Sequence, residues 1–90
     1  MPRGRQSIER IHEELGAAAK ELKVVLMEYQ TDDAEKAKTY LVEPYSYRGP
    51  KFFGYDLTAK SIKAFTLTSI VRVNPTGKTY KPRWTVELGK

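Results

Sequence analysis

The chain has 90 residues, a formal charge of +5, one histidine and no cysteine, which leaves room for a single domain, residues 1–90, and excludes disulfide frameworks, thiolate zinc sites and cysteine nucleophiles. Its apolar fraction of 40% and charged fraction of 30% suit a folded chain, and a domain this small gains from oligomeric contact, so a homo-oligomer is one expectation. The sequence holds no run of about eighteen apolar residues and no apolar core near its first residues, which predicts a cytoplasmic protein.

In chain order, MPRGRQ (1–6) reads as a flexible basic arm. Ile8, Ile11, Leu15, Ala18 and Leu22 recur at steps of three and four, the spacing that lays one apolar stripe along a helix. Ser7 suits its N-cap and Glu9 its first turn, which predicts a helix over 7–22. KVVLMEY (23–29) is rich in β-branched residues and reads as the first strand. TDDAEKAK (31–38) is polar; Asp32 and Asp33 suit a turn, and the glycine and final glutamate of an EF-hand are missing.

A second strand is expected over 39–47, with Tyr40 and Val42 on one face and Leu41, Tyr45 and Tyr47 on the other. Pro44 marks a bend, a bulge or an edge. Arg48-Gly49-Pro50 turns the chain into a third strand, 51–57. A fourth runs over 62–73, bending midway, and Asn74-Pro75-Thr76-Gly77 reads as a turn. From Thr79 to Leu88 polar and apolar residues alternate without a break, the pattern of a half-buried edge strand. One helix followed by five short antiparallel strands predicts an α+β, mainly β fold: an N-terminal helix before a small five-stranded SH3-like (Sm-like) barrel over 23–90.

Charge is unevenly spread: residues 71–90 carry five basic side chains against one acidic. Clustered cations attract polyanions, and seven of the ten aromatic residues fall between Tyr40 and Phe65, among basic side chains. Rings that stack on unpaired bases and cations that follow phosphates are the chemistry of single-strand binding by small barrels. The expected nucleic-acid-binding surface is Tyr45, Tyr47, Arg48, Lys51, Phe52 and Lys63, extended by Arg72, Lys81 and Arg83. No catalytic residue, metal ligand or cofactor is expected. His12 stands alone in a helix, and Glu43 and Asp56, which could converge from neighbouring strands, read as surface charges.

The chain over 23–73 resembles the WYL domain family. KVVLMEY with Tyr29 matches the family's opening strand, Pro44 its second-strand proline, and Phe52-Phe53-Gly54 followed by Tyr55 its signature strand. Residues Lys63 to Ile70 match its fourth strand. That resemblance implies an SH3-like barrel and a regulatory role, in transcription or defence complexes. Where the family carries ligand-contacting arginines this chain has Lys63, Thr66 and Ser69, and an aspartate is replaced by Thr68. Lysine keeps the charge without the planar fork that grips phosphate bidentately. The expected function is a small basic module binding single-stranded DNA or RNA with a regulatory role. The alternatives are a protein-interaction subunit of a transcription or defence complex, or a sensor of a small ligand or nucleotide.

Overall fold

The structure is a computed structural model that describes residues 6–31 and 35–88. Helix α1 (Ile8–Lys20) opens the fold, and the Ser7 hydroxyl accepts from the Arg10 N–H at 3.1 Å, satisfying one unpaired amide of the first turn. Leu22, at φ +56°, ends the helix in the left-handed region, its N–H bonded to Ala19 O at 3.2 Å. Five strands follow: β1 (Lys23–Tyr29), β2 (Lys38–Arg48), β3 (Lys51–Asp56), β4 (Ser61–Thr66) and β5 (Ile70–Thr79).

All strand pairs are antiparallel, in the order β4-β3-β2-β1-β5. The expected closed barrel is not formed in this pairing; the sheet is open, with β4 and β5 as its edges. A side-chain bond from the Thr66 N–H to the Tyr29 hydroxyl, 2.9 Å long, spans from β4 to the end of β1. The chain is thus α+β and mainly β.

One side of the sheet carries the main core. Ile11, Leu15, Ala18 and Ala19 of α1 pack against Val25, Met27, Val42, Phe52, Phe65, Ile70 and Val73, all buried. The opposite side holds a smaller cluster of Val24, Tyr45 and Tyr80.

Three expectations are corrected. The fourth strand is broken by a 3₁₀ turn at Leu67–Ser69, so 62–73 supplies two strands that sit on opposite edges. Asn74-Pro75-Thr76-Gly77 is not a free turn: it lies within β5, where Pro75 is tolerated because an edge strand needs fewer donors. The alternating segment 79–88 is not a strand beyond Thr79. It is a strap held by individual bonds: Tyr80 N–H to Leu22 O at 2.9 Å, Tyr80 OH to Pro44 O at 2.6 Å, and Glu87 N–H to Tyr45 O at 2.8 Å. Its alternation matches real burial of Tyr80 and Leu88, but no strand lies alongside to complete a ladder.

The anchor for that strap is a bulge. Pro44 faces Gly54 and Ser46 faces Phe53, so Tyr45 has no partner on β3. An unpaired bulge residue leaves its backbone carbonyl free, and here that carbonyl takes the amides of Glu87 and Leu88. Gln6, expected in the flexible arm, is tied to β5: its N–H donates to Val71 O at 2.9 Å and its side-chain oxygen accepts from Val73 N–H at 2.8 Å. The rest of the arm, 1–5, and the turn residues Asp32 and Asp33 lie outside the described residues.

Candidate functional site

The bulge decides which aromatic rings reach the surface. Period-two alternation would put Tyr45 and Tyr47 on one face. The extra residue instead sends Tyr47 to the helix side, packed on the main core and bonded through its hydroxyl to His12 Nδ1 at 2.9 Å, while Tyr45 joins the smaller cluster. Tyr45 is 2% exposed and Phe52 0%. Neither ring can offer a face to a base, which corrects their placement on the outer surface.

Most of the expected cations are already paired. Arg48 bonds Glu87 through both terminal nitrogens, at 3.0 and 3.2 Å. Arg83 meets the buried Glu43 carboxylate at 3.1 Å and lies over the Tyr55 ring, 3.9 Å from its centroid. Arg72 pairs with Glu28 at 3.0 Å. Lys51 and Lys81 are exposed, at the β2–β3 turn and on the strap. The nine expected residues are therefore distributed over both sides of the sheet and do not form one patch.

Two clefts of about 500 Å³ organise what remains. The first lies on the strap side and is lined by Tyr45, Phe53, Ile62, Trp84, Arg48 and Glu87. Trp84 stacks edge-on to Tyr45 at 5.3 Å and stays 49% exposed. Its two arginine neighbours are neutralised by Glu87 and Glu43, so this cleft is apolar with compensated charge.

The second lies on the helix side at the opposite end of β2, lined by Lys38, Tyr40, Asp56, Thr58, Ala59 and Lys63. It continues past Tyr40 into a recess of about 200 Å³ reached by Tyr29, Thr31 and Lys36. The register explains the grouping: Tyr40 opposes Met27 and Lys38 opposes Tyr29, two residues apart and so on one face. Lys63, opposite Gly54, points to the same side. Its ammonium lies 5.4 Å from the Tyr40 ring centroid and 3.2 Å from Asp56 Oδ2. Lys36 and Lys38 have no carboxylate partner among the described residues.

Asp56 is buried, which pushes its carboxyl up, but the Ala59 amide, the Lys63 ammonium and the Thr58 amide together hold it below the usual carboxylate range. Its Oδ1 accepts from the Thr58 and Ala59 amides at 2.9 and 3.2 Å. Both oxygens are committed to shaping the β3–β4 turn and fixing Lys63. Glu43 cannot join it. Asp56 opposes Val42 while Glu43 opposes Tyr55, so the two carboxylates emerge on opposite faces of the sheet.

Of the expected residues, only Lys63 belongs to this second cleft. Lys36, Lys38 and Tyr40 were not among the expected residues; the i, i+2 spacing of Lys38 and Tyr40 carries the signal of a cation and a ring on one strand face, while Lys36 lies in the bend before β2.

No family model matches the chain, and no curated protein matches it. Among solved structures, it is similar to proteasome accessory factor B/C (PafBC) of Arthrobacter aurescens, with a TM-score of 0.71 and 17% identity over 84% of this chain. The chain spans 13% of the length of that protein. At this identity the likeness is one of fold.

Proposed function

We propose that this chain is a WYL-like regulatory module, its sheet curled in the SH3-like manner, that binds single-stranded DNA or RNA at the lysine-lined cleft. The observation that carries this reading is the convergence of Lys38 and Lys63 on either side of Tyr40, with Lys36 behind. Among the described residues, two of the three ammonium groups lack a compensating carboxylate, so an incoming phosphate need not displace an ion pair seen there to reach them. Ammonium groups on flexible stems follow a backbone as point charges, and a ring of any base can lie against tyrosine without sequence preference. A cleft of about 500 Å³ holds about one nucleotide, within the usual range of ligand pockets. The shared fold with a protein named as an accessory factor and the sequence resemblance over 23–73 both favour a regulatory part over a catalytic one.

Fluorescence anisotropy with labelled single-stranded DNA and RNA, at low and high salt, tests the reading. Binding should weaken steeply with salt, and each lysine removed should lower the log–log salt slope by roughly 0.7, the contribution of one single-strand phosphate contact. Lys38→Ala should weaken binding while Lys78→Ala, on β5, should not. No binding at low salt rejects the proposal. Competition by a mononucleotide that leaves oligonucleotides no advantage would instead make the site a nucleotide sensor.

A further inference from the structure

The two edges of the sheet are treated differently by the chain. On β5, residue Gln6 occupies the outer edge, satisfying Val71 O and Val73 N–H. Among the described residues nothing comparable covers β4. Arg48 and Lys51 close the tight β2–β3 hairpin as a pair, so Lys51 directs its backbone groups at β2 and the next residue, Phe52, directs its own at β4. Phe65, Lys63 and Ser61 then bond inward to β3, and Thr66, Ala64 and Ile62 point outward. The Thr66 N–H confirms that phase, since it turns away from β3 to reach the Tyr29 hydroxyl. The outward N–H and C=O groups of Ile62 and Ala64 meet no partner among the described residues.

Beside this open edge lies the strap-side cleft. Ile62 is 48% exposed and lines it together with Phe53 and Trp84. Any strand added along β4 would place alternate side chains on that face, above this apolar notch. The arginines of the notch are spoken for by Glu87 and Glu43. Two cations with no carboxylate partner among the described residues sit near the two ends of the edge: Lys60, just before β4, and Lys51, opposite Thr66.

We infer that the β4 edge accepts an extended segment of another protein by strand addition, with an apolar side chain entering the notch at Phe53, Ile62 and Trp84 and acidic residues flanking it at Lys51 and Lys60. The occupant is not a second copy of this chain. Antiparallel self-pairing of two β4 edges would bring Lys60 of one copy next to the Thr66 end of the other, where Lys51 stands, and like charges so opposed repel. Acidic flanks remove that repulsion.

The test uses the full chain and a fluorescein-labelled extended peptide of alternating leucine and threonine flanked by paired glutamates, beside its lysine-flanked counterpart. The glutamate-flanked peptide should bind, the lysine-flanked one at least tenfold more weakly, and amide shifts should concentrate at Ile62, Ala64 and Phe53. Ala64→Pro removes one outward N–H without touching the ladder to β3, because proline is tolerated where the donor faces solvent; it should weaken binding about tenfold or more while circular dichroism stays unchanged. Lys51→Glu with Lys60→Glu should invert the peptide preference, an outcome that stands even if the proline variant fails to fold. Equal binding of both peptides, or shifts confined to the helix side, overturns the inference. So does a wild-type dimer that Ala64→Pro dissociates, which would make the edge a self-association site, and so does displacement of the peptide by an oligonucleotide. Binding of the peptide that survives Lys38→Ala keeps this site separate from the lysine-lined cleft.

Discussion

The backbone carbonyl of Tyr45 accepts the amide of Glu87 at 2.8 Å and that of Leu88 at 3.2 Å. One bulge residue thus fixes a strap that no ladder holds. The hydroxyl of the same tyrosine donates to Glu43 at 2.9 Å and accepts from the Arg83 N–H at 2.9 Å, so side chain and backbone secure the strap together.

Tyr45→Phe keeps the ring and deletes both hydroxyl bonds. Losing a buried bond and leaving its partner unsatisfied costs about 1–3 kcal/mol, so the melting temperature should fall by roughly 4–8 °C for each kcal/mol in a domain of this size. Calorimetry of the two proteins measures it, and an unchanged melting temperature would mean the strap is held elsewhere.

Alkaline pH should act through the same residue. Burial pushes the Tyr45 phenol up to about 12, with the Arg83 amide lowering it and Glu43 raising it further. A phenol bound more tightly to its proton in the folded state contributes stability fully below its unfolded value of about 10. That contribution should vanish as pH rises from about 10 to about 12. Burial also raises Tyr47 and Tyr80, so Tyr45→Phe should make the alkaline decline shallower without removing it. Urea midpoints across that window are the measurement.

Asp56 works with the opposite sign. Its carboxyl is lowered in the folded state, so its stabilisation is present above the unfolded value of about 3.9 and is lost as pH falls through the lower folded value. Asp56→Asn should cost about 1–3 kcal/mol at neutral pH through weakened bonds to Lys63, Thr58 and Ala59. The variant should then lose less stability than the parent on acidification below about pH 4. Parallel acid titrations followed by circular dichroism would show parallel curves if Asp56 contributed nothing.

Gly54→Ala should destabilise the sheet. A Cβ built at Gly54 meets the Val42 side chain, with Glu43 O and Phe52 Cζ each 3.0 Å away. Backbone and core leave it no room, and overpacking of this kind costs about 1–3 kcal/mol. Gly16, with nothing within 4 Å of its added Cβ, is the control: Gly16→Ala should stabilise the helix by up to about 1 kcal/mol. Denaturant midpoints for the two variants should move in opposite directions.

Trp84 is the only tryptophan, and it lines the strap-side cleft on the face of the sheet opposite Lys63. Its fluorescence should therefore stay constant when an oligonucleotide fills the lysine-lined cleft and change when an extended peptide seats beside Ile62. Emission spectra during both titrations decide it. A strong oligonucleotide response would move nucleic-acid binding to the strap side.

Local pattern carried the helix and the first three strands close to their observed limits, because Ile11, Leu15 and Ala18 repeat with helical period and Lys23–Tyr29 joins the β-branched pair Val24-Val25 to a closing tyrosine. Lys63 was expected as a surface cation and as a partial match to the family's arginines, and its side chain lines the lysine-lined cleft. The alternation over 79–88, by contrast, matched burial at Tyr80 and Leu88 and part-burial at Val86, left Pro82 and Trp84 exposed, and came with no pairing. A side chain can be covered by a tyrosine cluster as well as by a sheet, and composition does not distinguish the two.

What the sequence determined by itself was the helix, the first three strands, the turn at Gly49-Pro50 and the basic, aromatic character of the chain, since each depends on neighbours a few residues apart. What only the tertiary structure decided was which rings and which charges remain available. The bulge at Tyr45 reversed the facing of the β2 residues that follow it, Tyr47 among them, and Glu43 and Glu87 neutralised Arg83 and Arg48 from positions about forty residues away. Facing after a bulge and pairing across the chain are set by packing between distant segments, and no periodicity along a single strand records them.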